Sequence, residues 1–158
     1  MQRVLSDKDL VQCTYYYRFY LDQALKKAGM GDKYMDQLGP WYEMLELGLT
    51  TFSEKPEPTR SDCHAWSASP VYDFLALVCG VTPAAPGFAK VRIEPSLGRL
   101  RRAAGSMPHP GGEIRCRLVR SGKTGLSAEI ELPPGVDGIF VWQASEKALV
   151  PGKQKLEF

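Results

Sequence analysis

The segment between residues 50 and 66 carries the densest group of side chains that could do chemistry. It contains acids, a cysteine and a histidine between aromatic residues: Phe52, Glu54, Glu57, Asp62, Cys63, His64 and Trp66. A carboxylate can take a proton from water, an imidazole can donate a hydrogen bond to a hydroxyl, and an aromatic face can cover the apolar side of a sugar ring. These are the groups that a carbohydrate pocket requires.

Other interpretations of the same segment are open. The adjacent Asp62, Cys63 and His64 could be metal ligands, but sequence neighbours rarely point at one ion and no second pair of ligands follows. A nucleophilic pair of Cys63 and His64 is disfavoured, because catalytic partners usually meet across a fold. By residue type alone, His64 would be a hydrogen-bonded structural histidine and Trp66 a core residue.

The residues on either side of this segment have the periodicity of helices. Three predicted helices each begin at a capping residue or proline and end at a glycine: Ser6 to Gly29, Pro40 to Gly48 and Ser69 to Gly80. Their apolar residues recur at helical spacing. We therefore expect residues 50–66 to form a loop between helices, where a rigid scaffold can hold a site.

From residue 81 onward the apolar residues alternate with polar ones. The alternating sets are Val91 and Ile93; Ile114, Cys116 and Leu118; Leu126, Ala128, Ile130 and Leu132. A period of two with one polar face is typical of antiparallel sheets, and a last strand is predicted from Ile139 to Trp142. The sequence thus predicts an α+β chain with a helical domain over residues 1–80 and a small antiparallel β-sandwich over residues 81–158.

Composition excludes several classes of function. The net charge of +2 over 158 residues, with scattered basic residues, gives no sign of nucleic-acid binding. No stretch approaches the ~20 apolar residues of a membrane span, and the N-terminal residues lack the apolar region of a secretory signal. We expect a soluble chain without assigning its compartment. Four widely spaced cysteines are expected to be free and mostly buried thiols: Cys13, Cys63, Cys79 and Cys116.

Three segments, in order, resemble the end of the bacterial α-L-rhamnosidases, which are six-hairpin glycosidases. They are YYYRFYLDQALKKAG with GPWYEMLELGLTTFSE, then TRSDCHAWSASPVYDFL, then GVTPAAPGFAKVRIEPSLGRLRRAAGSMPHPGGEIRCRL leading into LPPGV. The Pro86-Gly87-Phe88 phrase is specific when it follows an S-x-x-H-x-W segment. The resemblance therefore spans nearly the whole chain.

The resemblance implies the last helices of an (α/α)₆ barrel followed by a β-sandwich. It implies inverting hydrolysis of terminal α-L-rhamnose, with rhamnose-containing glycans as substrates and with neither a cofactor nor a metal ion. The family's general base follows a G-x-T-T phrase, which places it on Glu54, and the histidine that contacts the sugar corresponds to His64. Trp66 is expected to bind substrate beside them. Ser53 departs from the pattern, since relatives often have tryptophan there.

The resemblance also sets expectations for the chain as a piece of a larger enzyme. The general acid lies upstream in the family, so the chain alone is expected to be inactive and, with unpaired helices, to form a homo-oligomer. The Glu54 carboxylate is expected to be partly accessible, near His64 and either Phe52 or Trp66. The alternative is a non-catalytic module, in which the sandwich binds carbohydrate or has a purely structural role.

Overall fold

The structure is a computed structural model that describes residues 1–7 and 9–158. Its contacts divide the chain into two compact units, Met1–Tyr72 and Asp73–Phe158. The sequence-based domain boundary between residues 80 and 81 stays a prediction. Among the described residues, no helix is both long enough and apolar enough to cross a membrane.

Helices make up the first part of the described chain. The α-helices are α1 (Gln2–Ser6), α2 (Tyr15–Lys27), α3 (Gly39–Glu46) and α4 (Ser69–Asp73). Short 3₁₀ helices lie at Gly31–Gln37, Ala65–Ser67 and Pro86–Phe88, and a π-helical turn at Phe74–Val78 continues α4. With the strands that follow, these elements confirm the α+β class.

The first predicted helix begins later than the sequence pattern indicates. Ser6 ends α1 rather than capping a long helix, and α2 begins only at Tyr15. The pattern failed here because Val11 is 96% exposed, so the apolar residues before Tyr15 have no core to pack against. The predicted end is confirmed: Gly29 has φ +69°, and Met30 N–H donates to the Leu25 carbonyl at 2.8 Å.

Helix α3 ends in the same way and directs the chain into the 50–66 segment. Gly48 has φ +74°, and Leu49 N–H donates to the Met44 carbonyl at 3.0 Å. On the buried face of α3, Trp41 donates from Nε1 to the Ser67 carbonyl at 2.7 Å. This bond holds Ser67, at the C-terminal end of the 50–66 segment, against helix α3.

Eight strands follow in the described chain and form two sheets. They are β1 (Val81–Pro83), β2 (Lys90–Ile93), β3 (Arg102–His109), β4 (Gly112–Ser121), β5 (Gly125–Leu132), β6 (Asp137–Trp142), β7 (Ser145–Leu149) and β8 (Gly152–Glu157). The sheet orders are β1-β2-β6-β7 and β3-β4-β5-β8. All pairs are antiparallel except β2 with β6, which is parallel. The two sheets are thus largely antiparallel, as the sequence predicts for a small antiparallel β-sandwich. The parallel β2–β6 pair departs from that prediction, because β3, β4 and β5 join the other sheet before the chain returns.

The predicted alternation is confirmed in the core of the sandwich. Inward-facing residues on β2, β4, β5 and β6 are buried: Val91, Ile93, Ile114, Cys116, Leu118, Leu126, Ala128, Ile130, Leu132 and Phe140. Strands β1, β7 and β8 were not predicted. Their sequences contain few large apolar residues, so their pairing follows from neighbouring strands rather than from a periodicity of their own.

Candidate functional site

Backbone hydrogen bonds close the loop that carries Glu54 and His64. Glu54 N–H donates to the Ser61 carbonyl at 2.9 Å, and His64 N–H donates to the Phe52 carbonyl at 2.7 Å. The Ser53 hydroxyl is buried and hydrogen-bonds to the phenol of Tyr15. Hydrogen bonds therefore hold the two sides of the loop together and connect the loop to helix α2. These contacts fix the position of the Glu54 backbone.

The carboxylate of Glu54 is held by Arg60. Arg60 Nε donates to Glu54 Oε2 at 2.9 Å, and Arg60 Nη2 donates to Oε1, so the pair is bidentate. Glu54 is only 6% exposed, whereas the side chain of Arg60 is 78% exposed. The expectation of a partly accessible carboxylate was therefore wrong for this conformation, because the guanidinium of Arg60 occupies both oxygens.

This pairing controls the charge of Glu54. The hydrogen bond from Arg60 holds the pKa of the Glu54 carboxyl below its usual value, against the opposing effect of burial. The positive charges of Arg60, His64 and Lys55 act in the same direction. Glu54 is consequently ionised at neutral pH, which is the state that a general base needs, although a lower pKa makes the carboxylate a weaker base.

Aromatic side chains form one side of the site. Trp66 is 47% exposed, so the assignment of this residue to the core from its type alone was wrong. The His64 ring lies against it with centroids 4.7 Å apart, and the Tyr16 ring is 5.7 Å away. Trp66 Nε1 donates to the Glu54 carbonyl at 3.3 Å. The indole is thereby anchored at its polar edge while about half of the residue stays exposed.

A cavity of about 340 Å³ lies in front of these groups, within the first unit. Its lining residues come from the start of α2, from the loop and from the following 3₁₀ helix: Thr14, Tyr16, Tyr17, Glu54, Lys55 and Trp66. The structure thus brings Glu54 and Trp66 to one concavity, with His64 against the indole. Neither His64 nor Phe52 is among the lining residues.

The residues from α2 were missed by sequence reasoning. Tyr16 and Tyr20 are four residues apart, their hydroxyls are 3.2 Å apart, and both are partly exposed. The signal was visible as an aromatic run at the start of a helix. The proximity of this run to the loop around Glu54, more than 30 residues further along the chain, was not visible, because it depends on how α2 packs.

The other polar residues of the segment contribute less. Asp62 and Cys63 are exposed, as is Glu57, whose carboxylate accepts a hydrogen bond from Thr59 N–H at 3.1 Å. Within residues 1–7 and 9–158, no group of three His, Cys, Asp or Glu side chains is placed to hold a metal ion. The segment therefore offers a carboxylate–aromatic site.

The sandwich presents a different surface. A concavity of about 560 Å³ on the β4-β5-β8 face is lined mainly by charged side chains of opposite sign: Arg115, Arg117, Glu129, Glu131, Lys153 and Lys155. Arg115 pairs with Glu131 at 3.4 Å, which fits a solvated face. The aromatic candidates Phe140 and Trp142 are buried, and Phe158 stacks on Phe140 at 5.3 Å. These three rings are therefore used in packing.

Comparison with known families gives one match. Residues 80–157 match the family described as bacterial α-L-rhamnosidase C-terminal domain. No curated protein sequence matches the chain.

Solved structures of rhamnosidases share the fold of the chain. The GH78 family rhamnosidase of Bacillus sp. GL1 is 28% identical with a TM-score of 0.83, over 90% of this chain and 17% of that one. The α-L-rhamnosidase of Dictyoglumus thermophilum is 18% identical with a TM-score of 0.84, over 99% of this chain and 22% of that one. That of Streptomyces avermitilis, complexed with L-rhamnose, is 16% identical with a TM-score of 0.74, over 89% and 17%. The chain therefore spans about a fifth of the length of the structures it matches.

Proposed function

Because residues 80–157 belong to the bacterial α-L-rhamnosidase C-terminal domain family, we propose that this chain is the C-terminal part of a glycoside hydrolase that releases terminal α-L-rhamnose. In this proposal residues 1–80 are the last helices of an (α/α)₆ barrel and the sandwich follows it. The substrates are rhamnose-containing glycans. Hydrolysis proceeds with inversion, Glu54 is the general base, and His64 and Trp66 contact the sugar.

The observation that carries the proposal is the shared cavity of Glu54 and Trp66. An inverting glycosidase needs a carboxylate that activates water on one face of the sugar ring. It also needs a surface that holds the apolar side of the ring in register with that water. The exposed indole of Trp66, beside Tyr16 and hydrogen-bonded to the Glu54 backbone, supports that role.

Arg60 has a defined part in this proposal. While Arg60 donates to both oxygens of Glu54, the lone pairs that face the guanidinium are not available to a water molecule. The Arg60 side chain is largely exposed, so it can swing into solvent when a sugar enters. Its positive charge nearby keeps Glu54 ionised until then. The alternative is a purely structural role, in which the Glu54–Arg60 ion pair only stabilises the closed loop.

The second carboxylate of the reaction is proposed to come from elsewhere in the protein. An inverting mechanism places the general acid roughly 6.5–9.5 Å from the base. Glu54 is the one carboxylate among the described residues that line the cavity. We accordingly propose that a polypeptide of these 158 residues does not by itself hydrolyse an aryl α-L-rhamnoside.

The decisive experiment uses the full-length enzyme and the Glu54→Gln variant. Glutamine keeps the shape of the side chain but cannot accept the proton, so kcat should fall by roughly 10²-fold or more while L-rhamnose still binds. Glu57→Gln is the matched control, since Glu57 is exposed on the same loop. Calorimetric titration and a melting curve for each variant separate lost chemistry from lost structure.

The outcome is clear in either direction. A low kcat with retained sugar affinity and a normal melting temperature supports Glu54 as the base. Near-normal turnover in Glu54→Gln would mean that another glutamate has this role. A melting temperature that falls together with kcat would assign the Glu54–Arg60 pair to loop structure.

A second candidate function is a non-catalytic role for the sandwich alone. The buried Phe140 and Trp142 favour a structural role over carbohydrate binding, because sugar-binding sandwiches usually present exposed aromatic platforms. We propose that the sandwich has a structural role, which is compatible with the enzymatic one. Retention of the isolated sandwich on plant polysaccharides would instead favour a binding module.

A further inference from the structure

We propose that Cys79 and Cys116 form a disulfide bond when a peroxide reaches the core of the second unit. Cys79 directly follows the π-helical turn, and Cys116 lies in the middle of β4. Both residues are buried, and their side chains are in hydrogen-bonding contact. This pair is independent of the Glu54 site and lies outside the family's proposed chemistry.

The sheet register places the two thiols together. Gly105 on β3 is the direct partner of Cys116 on β4, so the two residues face the same side of the sheet. A Cβ added to Gly105 would lie 3.3 Å from Cys79 Sγ and 2.5 Å from Leu75 Cδ2. Because Gly105 has no side chain, the Cys79 side chain can lie against it, next to Cys116.

The two cysteines differ in how easily they ionise. The hydrogen bond from Cys116 lowers the pKa of Cys79, and the same contact together with burial raises the pKa of Cys116. Since the thiolate is the nucleophile, Cys79 is the sulfur that reacts first. Cys116 then serves as the resolving thiol.

The reaction is balanced with hydrogen peroxide as the oxidant. The Cys79 thiolate attacks one peroxide oxygen, the O–O bond breaks, and Cys79 becomes a sulfenic acid while hydroxide leaves. The Cys116 sulfur then attacks Cys79 Sγ, the S–O bond breaks, and water leaves. Two thiols and one peroxide give one disulfide and two waters.

The bond would tie the π-helical turn to β4. It would close a loop that contains β1, β2 and β3, and long loops gain most from a cross-link in the chain-entropy model. We expect the oxidised chain to melt roughly 5–10 °C above the reduced one. Buried structural cysteines are usually inert, so a specific reaction here would distinguish this pair from ordinary core packing.

The experiment uses the 158-residue chain with Cys13→Ser and Cys63→Ser, which removes the exposed thiols. After peroxide treatment and quenching, we expect intact protein two hydrogens lighter, with no thiol titratable after denaturation. Trypsin should release the peptide of residues 61–90 joined to the dipeptide Cys116–Arg117. Dithiothreitol should reverse all three changes.

Two further variants make the result interpretable. Cys116→Ser, which keeps a hydrogen-bond donor beside Cys79, should block the cross-link and leave a Cys79 sulfenic acid that dimedone traps, whereas Cys79→Ala should give neither product. The proposal is overturned if both thiols survive a peroxide dose that oxidises Cys13 and Cys63 in the unmodified chain. It is also overturned if the chain gains oxygen without the 61–90 cross-link.

Discussion

Replacement of Gly80 by alanine tests how the chain enters the sandwich. Gly80 has φ +78°, and a Cβ built on it would lie 2.1 Å from the Glu94 carbonyl oxygen. The atom in the way belongs to the backbone, so it cannot rotate aside. In addition, Glu94 N–H donates to the Gly80 carbonyl at 3.0 Å. Any shift that relieves the clash therefore disturbs this bond and the start of the β1–β2 pairing.

The structure allows the cost of Gly80→Ala to be estimated. A left-handed conformation costs a residue with a Cβ roughly 1–2 kcal/mol. Forced overpacking adds typically about 1–3 kcal/mol, and a lost hydrogen bond about 1 kcal/mol. Because these terms overlap, we expect a total decrease in the free energy of unfolding of about 3–5 kcal/mol.

Gly135→Ala is a closely matched control. Gly135 has φ +76°, but a Cβ built on it would have no neighbour within 4 Å. This substitution carries only the conformational cost of roughly 1–2 kcal/mol. The difference between the two variants, about 2–4 kcal/mol, then isolates the close approach of Gly80 to Glu94.

The assay is urea unfolding followed by circular dichroism, with the midpoint and the slope fitted for each variant. Equal slopes with a clearly lower midpoint for Gly80→Ala would support the reasoning. If Gly80→Ala and Gly135→Ala unfold within about 0.5 kcal/mol of each other, the backbone at Glu94 does not constrain Gly80 and the reasoning fails.

Two further predictions concern the first unit. In the full-length enzyme, Arg60→Gln removes the hydrogen bonds that lower the pKa of Glu54 before the sugar binds, so the acidic limb of the kcat/KM–pH profile should move to higher pH. Lys55→Gln removes a charge but no hydrogen bond, so it should move the limb less; an unmoved limb for Arg60→Gln would contradict the role of Arg60. The isolated 158-residue chain should associate through exposed apolar side chains such as Tyr17, Tyr20 and Val71. Light scattering that shows a stable monomer at high micromolar concentration would contradict this association.

Local sequence signals predicted those features that depend on near neighbours. The glycines at the ends of α2 and α3 were predicted because a left-handed residue after a helix satisfies the last carbonyls without help from the rest of the chain. The alternation of β4 and β5 was predicted because every second residue must face the same core. Glu54, His64 and Trp66 were selected by resemblance, and their roles stay predictions.

Tertiary structure decided the features that join distant parts of the chain. Strand β8 contains lysines and a glutamine, so its sequence does not alternate clearly between apolar and polar residues. It forms a strand because it pairs with the edge of β5. Tyr16 reaches the site of Glu54 only because α2 packs beside the loop, and Arg60 could equally have faced solvent. Periodicity and capping report on a residue's immediate surroundings. Strand pairing, ion pairing and cavity lining depend on which surfaces meet after the chain folds.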